Sequence, residues 1–258
     1  MNKKIIILFL WTVSHITILF AQHERPLFRK GSQHIGINML GNKLNNNLSP
    51  KDNVFKGNFG ASTGFVFECG HIYYFKPVKD QKTKFNYGID WTISSMTYNK
   101  LNGWKTYGNS SGAEMVVLDG SLISAAVSTK LGPIISFNPV ESLIINLHFQ
   151  VAPTARVTNF EYYENEDKPD KRSFSFFNYG EEATDPGFDA SSFKNIIAFG
   201  LGSNFGISVR RKAFGFAFDY NLVNANTNYD AYEGEDNHSF GKQKIKTNFV
   251  QLKLSLSL

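Results

Sequence analysis

The segment KFNYGIDWTISS, residues 84–95, alternates strictly between apolar and polar side chains. One phase contains Phe85, Tyr87, Ile89, Trp91 and Ile93, and the other contains Asn86, Gly88, Asp90, Thr92 and Ser94. A two-residue period predicts a β-strand whose two faces differ in polarity. In a soluble protein the apolar face points inward to a core, whereas in a membrane barrel it points outward to lipid. The direction of this face therefore decides the class of protein.

The same alternation recurs along the chain, and no segment shows a helical period. It predicts eight strands, at residues 31–40, 58–75, 83–98, 115–136, 142–157, 193–209, 213–223 and 244–258. Long connections, at residues 41–57, 99–114, 158–192 and 224–243, alternate with short ones. In an antiparallel barrel all the long connections would then lie at one end, which is the asymmetry of outer-membrane barrels.

The N-terminal residues are typical of an export signal. The basic segment MNKK is followed by the apolar run IIILFLWTVSHITILF and then by Ala21. This order predicts a signal peptide over residues 1–21 and leaves residues 22–258 as the barrel domain. Cys69 is the sole cysteine, so no disulfide within the chain supports the fold.

The polar phase of the strands favours an enclosed lumen. Its residues are mainly small, as at Ser124, Ala126 and Ser128, and small side chains suit the narrow interior of an eight-stranded barrel. A soluble sheet would instead present mostly Lys, Glu and Arg. Six charges of both signs share the polar phase: Glu68, Asp90, Lys130, Arg156, Asp219 and Lys253. Because buried charges need partners, these six are predicted to form a lumenal ion-pair network.

Two segments carry a family resemblance. Residues 127–152, VSTKLGPIISFNPVESLIINLHFQVA, combine the polar-phase Lys130, a Gly-Pro step and a tight Asn-Pro turn. This hairpin resembles those of small outer-membrane β-barrel proteins of Gram-negative bacteria, of the OmpX and OmpA-barrel type. The closing run KTNFVQLKLSLSL is similar to their terminal strand, although it ends in Leu258 where those chains commonly end in Phe. The resemblance implies an all-β, eight-stranded antiparallel up-and-down transmembrane barrel in the bacterial outer membrane.

Motifs that would carry chemistry are few. Residues 60–64 and 108–112 both match the pattern G-x-S-x-G, but neither precedes a predicted helix, which a nucleophile elbow requires. His34 and His148 fall in the lumenal phase, where a hydrogen-bonded structural role is expected. The sequence therefore predicts no catalytic residues, no cofactor and no regular metal site.

The long connections hold most of the acidic residues. Residues 158–192 carry nine acidic side chains against three basic ones, without the spacing of a regular calcium loop. Divalent cations or a cationic partner are candidate ligands there, and the net charge of +5 supports no nucleic-acid partner. We predict a non-enzymatic protein that contacts outer-membrane lipid and has a structural or surface-binding role. The alternatives are a lipid-modifying barrel enzyme and a soluble exported lipocalin-like barrel that binds an apolar ligand.

Overall fold

The computed structural model describes residues 27–76, 83–107, 116–164, 172–175, 197–233 and 237–257. The predicted signal peptide lies outside these ranges and stays a prediction. In this part of the chain nine strands form one sheet. They are β1 (Gly31–Leu40), β2 (Gly64–Tyr74), β3 (Phe85–Lys100), β4 (Val116–Phe137), β5 (Leu143–Glu164), β6 (Arg172–Ser175), β7 (Ile197–Arg211), β8 (Phe214–Glu233) and β9 (His238–Ser257). A short helix, α1 (Pro50–Phe55), and a 3₁₀ turn (Asn102–Lys105) accompany them.

Eight of these strands close into a ring. Each of them pairs antiparallel with its neighbours in the ring, and β1 pairs with β9 to complete it. The short strand β6 lies between β5 and β8, beyond the point where β7 begins, and so extends the wall there. The prediction of an eight-stranded antiparallel up-and-down barrel is confirmed, and β6 is an addition to it.

The two ends of the barrel differ in their connections. At the short-turn end, β7 and β8 are joined only by Lys212 and Ala213, and Lys212 adopts a left-handed φ of 57°. Both chain ends of the barrel also lie there, where the Arg29 guanidinium donates to the carbonyl oxygen of Ser257 at 2.6 Å. At the opposite, long-connection end, the strands are joined by residues 41–63, 101–115 and 165–196.

One prediction about the long-connection end is wrong. Residues 224–243 are not a long loop, because β8 continues to Glu233 and β9 begins at His238. The first long connection also contains the six-residue helix α1, which is too short to give a helical period in the sequence. Its start has a recognisable signal: Ser49 is the N-cap, its side chain accepts from the amide of Asp52, and Pro50 occupies the first turn.

A β-bulge overturns the predicted direction of Ser94. Between Thr92 and Ser95 the register of β3 shifts against both neighbouring strands, because β3 contains an extra residue there. Ser95, not Ser94, therefore takes the next inward position, where it is buried. After the bulge the even-numbered residues of β3 face outward, beginning with the exposed Met96.

The barrel is apolar outside and polar inside. Its outward face presents a continuous set of exposed apolar side chains, which we call the apolar band. The band includes Ile35, Ile37, Phe67, Trp91, Val127, Leu131, Leu147, Val151, Leu201, Phe205, Phe216, Leu252 and Leu254. Inward positions on the same strands hold buried polar residues such as Gln150, Asn204 and Gln251. Within the described ranges, no helix has the length and apolarity needed to cross a bilayer.

Candidate functional site: the charged lumen and the cap above it

A quartet of buried charges occupies the middle of the lumen. Glu68 of β2 accepts from the ammonium groups of Lys130 at 2.6 Å and of Lys253 at 2.5 Å. Lys253 also contacts a carboxylate oxygen of Asp219 at 2.6 Å, and Lys130 lies 3.8 Å from the same oxygen. The four side chains are almost entirely buried, so two carboxylates and two ammonium groups neutralise each other away from bulk solvent. We call this group the charge quartet.

Neutral side chains complete the hydrogen bonding of the quartet. Ser95 donates to Glu68 at 2.7 Å, and Asn204 donates to Asp219 at 2.9 Å. The side-chain oxygen of Gln251 faces Lys130 at 3.4 Å. Glu68, Asp219 and Lys130 therefore each have a neutral polar neighbour besides a counter-ion, and Lys253 is held by two counter-ions. Additional hydrogen bonds of this kind are the condition for a buried ion pair to be tolerated. The bulge in β3 is what brings Ser95 to this position.

His148 extends the quartet toward the wall formed by β3. Its Nε2 atom lies 3.4 Å from Asp219, and its Nδ1 atom lies 3.9 Å from Asp90. His148 and Asp219 are on β5 and β8, and the residue between them on β7 is Gly206. A Cβ atom at position 206 would collide with both side chains, so the glycine is what allows them to meet.

The six charges predicted for the lumen are not all joined. Glu68, Lys130, Asp219 and Lys253 form the quartet, whereas the nearest charged partner of Asp90 is His148. Arg156 lies higher in the barrel, where it donates to Thr247 at 2.6 Å and lies over the ring of Phe249 at 5.9 Å. No ion pair involves Arg156 within the described ranges.

A small cavity lies between the quartet and the short-turn end. It measures about 30 Å³, and its lining includes His34, Asp90, His148, Arg210 and Asp219. A space of this size holds roughly two water molecules and no organic substrate. The two histidines that the sequence places in the lumenal phase thus share one polar cavity.

An apolar core closes the lumen at the long-connection end. Trp104 of the 3₁₀ turn is 1% exposed, and its indole nitrogen donates to the carbonyl oxygen of Phe59 at 3.0 Å. Its ring centroid lies 4.4 Å from that of Phe160 and 5.0 Å from that of Tyr107. The core as a whole contains Leu40, Val54, Phe59, Leu101, Trp104, Tyr107, Leu122, Phe160, Tyr162, Phe174, Val223, Ala231, Ile245 and Phe249. We call this core, with α1 and the 3₁₀ turn, the cap.

A polar cluster forms part of the rim of the cap. Arg172 of β6 makes two hydrogen bonds to Glu164 of β5, at 2.6 and 3.1 Å, and Tyr162 donates to the same carboxylate at 2.9 Å. The hydrogen bond to Glu164 raises the pKa of the Arg172 guanidinium. The cluster ties β6 to the barrel wall.

Three described acidic residues at the long-connection ends of the strands have cationic partners. Glu164 binds Arg172, Asp230 lies 2.7 Å from His238, and Glu233 lies 3.4 Å from Lys51 of α1. Most of the acidic residues predicted to bind cations lie between positions 165 and 190, outside the described ranges. The predicted cation or cationic-partner site therefore stays a prediction.

Within the described ranges, neither G-x-S-x-G match forms a nucleophile elbow. Residues 60–63 are irregular and Gly64 begins β2, so a strand and not a helix follows Ser62. The amide of Ser62 donates to the carbonyl oxygen of Lys100 at 2.8 Å, which fixes the segment to β3. The second match, residues 108–112, lies outside the described ranges.

Comparison with known proteins gives only distant structural similarity. No protein-family model and no curated protein sequence matches the chain. The solved structure of the outer membrane enzyme PagL is similar at 7% identity and a TM-score of 0.38, over 89% of this chain and 99% of that one. The outer membrane protein OprG from Pseudomonas aeruginosa is similar at 8% identity and a TM-score of 0.35, over 89% of this chain and 96% of that one. Similarity at this level assigns neither an activity nor the OmpX and OmpA-barrel type, which stays a prediction.

Proposed function

We propose that the protein is a closed, non-enzymatic outer-membrane barrel that holds a folded cap at the cell surface, in a structural or surface-binding role. The observation that carries the proposal is the inverted polarity of the barrel wall. Leu131, Phe205 and Leu254 are each more than half exposed on the outside, whereas Glu68, Lys130 and Lys253 are buried within. Exposed apolar surface of this extent has a favourable environment only when lipid or another apolar phase covers it.

The filling of the lumen argues for a closed barrel. The charge quartet joins β2, β4, β8 and β9 across the middle, and the cap packs Trp104, Phe160 and Phe249 above it. An eight-stranded barrel is only wide enough for its own side chains. A continuous aqueous channel would exist only if the charge quartet and the cap both moved out of the lumen.

The surroundings of His148 argue against catalysis in the lumen. In a catalytic triad one ring nitrogen of the histidine faces the nucleophile and the other faces the acid. Here both nitrogens of His148 face carboxylates, those of Asp219 and Asp90. The imidazole thus lies between two acids in the lumen, which supports a structural role for it.

The lumen also disfavours the alternative of a soluble carrier of an apolar ligand. Such a carrier needs an apolar cavity large enough for its ligand, of the order of 300 Å³ or more. The cavity beside His148 measures about 30 Å³ and is lined mainly by polar side chains. The apolar surface of the barrel lies on the opposite side of the wall, where a ligand would cover only a small part of it.

Folding into vesicles tests the proposal. We expect the urea-denatured chain to fold into phospholipid vesicles, to float with them in a density gradient, and to migrate differently on gels with and without heating. We also expect no ion conductance in planar bilayers, and lipid A of unchanged composition in cells that express the protein. Stable single-channel currents would contradict the closed barrel, and altered lipid A would favour the enzyme alternative.

A charge in the apolar band should be costly. Leu252 lies in the band on β9, and Leu252→Arg should lower the free energy of unfolding in lipid by about 2–4 kcal/mol, the cost of a cation near the bilayer midplane of such barrels. The matched control, Asn226→Arg, adds the same charge to an exposed outward position of β8 beyond the band. Urea titration in vesicles measures the free energy of unfolding of both variants. Equal stability of the two variants would show that water, not lipid, surrounds Leu252.

A further inference from the structure

Three lysines form a row on the outward face of β9. Lys242, Lys244 and Lys246 are all exposed and occupy alternate positions of the strand. They share their phase with Leu252 and Leu254 of the apolar band, which lie farther along the same strand toward the short-turn end. The row therefore begins just beyond the band, on the side of the long connections. We call these residues the lysine stripe.

The residues paired directly with the lysine stripe are asparagines, and the acid diagonal to Lys242, Asp230, already lies 2.7 Å from His238. Across the ladder to β8, Lys242 pairs with Asn228, Lys244 with Asn226, and Lys246 with Asn224. Within the described ranges no carboxylate lies within ion-pair distance of these lysines. Like charges on one face of a sheet repel each other, so this row of lysines, which has no ion-pair partner among the described residues, favours an external anion. The facing asparagines add side-chain N–H donors beside each ammonium group.

The extent of the stripe indicates the kind of anion. Lys246 lies four positions after Lys242, which corresponds to about 14 Å along the strand and about 10 Å along the barrel axis at the usual tilt. The headgroup layer of a phospholipid leaflet is only about 5–7 Å deep. The stripe is thus deeper than one simple headgroup, and it matches a lipid whose phosphates lie at several heights above the acyl chains.

We propose that the lysine stripe, with Asn224, Asn226 and Asn228, binds a phosphorylated glycolipid of the leaflet at the long-connection end. Lys246 meets the phosphates nearest the acyl chains, and Lys242 and Lys244 meet phosphates on the saccharide. The inference rests on the proposed membrane location, which places this end of the barrel at the outer leaflet. It adds to that proposal a specific anionic ligand and a binding surface on the barrel wall.

The test compares two triple variants with equal charge change. The stripe variant carries Lys242→Gln, Lys244→Gln and Lys246→Gln. The control carries Lys30→Gln, Lys84→Gln and Lys212→Gln, which remove three exposed lysines at the short-turn end. The folded full chain in phosphatidylcholine nanodiscs is titrated with lipopolysaccharide that has a phosphorylated inner core, and with the same material after enzymatic dephosphorylation. Bound glycolipid is measured by native mass spectrometry.

We expect the stripe variant to bind the phosphorylated glycolipid about 100-fold more weakly than the wild type, because each lysine near an anionic surface contributes about five-fold. The control variant should bind like the wild type, and the dephosphorylated glycolipid should bind the wild type as weakly as the intact one binds the stripe variant. Equal affinity of the two triple variants, or equal binding of both glycolipids, would overturn the inference. Failure of the wild type to enter neutral nanodiscs would instead overturn the proposed membrane location.

Discussion

Replacing Lys253 with methionine should lower the free energy of unfolding by about 3–5 kcal/mol, the usual cost of breaking a buried ion pair from one side. Lys253 is the cation shared by Glu68 and Asp219, at 2.5 and 2.6 Å. Without it, two buried carboxylates would share Lys130 as their one ammonium partner. Denaturant titration in detergent or vesicles measures the loss.

A control and a rescue make this result specific. Glu141→Gln changes an exposed charge in the turn between β4 and β5 and should alter stability by less than about 0.5 kcal/mol. The double variant Asp219→Asn with Lys253→Met leaves Glu68 and Lys130 as a balanced pair, so it should lose less than the sum of the two single variants. Additive losses would show that the lumenal charges act independently of one another.

Replacing Trp104 with alanine should destabilise the cap by about 3–5 kcal/mol, the range for deleting a buried tryptophan side chain. Trp104 contacts Tyr107, Phe160 and Tyr162, so its removal leaves a void at the centre of the cap. Hydrogen exchange should accelerate in α1, the 3₁₀ turn and the upper part of β5. The exchange rate should change little around the charge quartet, because the ring contacts of Trp104 are with residues of the cap and not with the four side chains of the quartet.

The matched control for the cap is Trp91→Ala. Trp91 is 38% exposed on the outward face of β3, where its indole nitrogen donates to Thr129 at 3.1 Å. Its loss removes a tryptophan of the same size without touching the cap. Equal exchange in α1 for both variants would show that Trp104 does not hold the cap together.

The barrel itself could be predicted from the sequence because lipid and lumen impose a strict alternation. The first strand, residues 31–40, is found with the predicted bounds. The second half of β8 and the first six residues of β9 were missed, because above the apolar band their outward residues are mainly polar, as at Asn226 and Lys242. In those segments the strands are maintained by pairing between β8 and β9, and the alternation of apolar and polar residues is weak.

The interior of the barrel was harder to predict, for two physical reasons. The choice of ion-pair partners depends on the stagger between strands, which is why Asp90 meets His148 and Arg156 meets Thr247. The cap, in turn, is assembled from residues distant in the chain, and a single buried Trp104 in a connection shows no periodicity. The Ser49-Pro50 start of α1 is the local signal that could have indicated structure there.

The environment of Cys69 tests the central claim most directly, that the outward face of the barrel meets lipid. Cys69 follows the inward Glu68 on β2, so its side chain points outward, at the next outward position after the exposed Phe67, and it is the sole cysteine of the chain. A nitroxide label on Cys69 can be examined by electron paramagnetic resonance in phospholipid vesicles, with oxygen and a water-soluble nickel chelate as competing relaxants. A label moved to Glu141→Cys in a Cys69→Ala background should be relaxed mainly by the chelate. We predict that the Cys69 label is relaxed mainly by oxygen, whereas stronger relaxation by the chelate would contradict the membrane barrel.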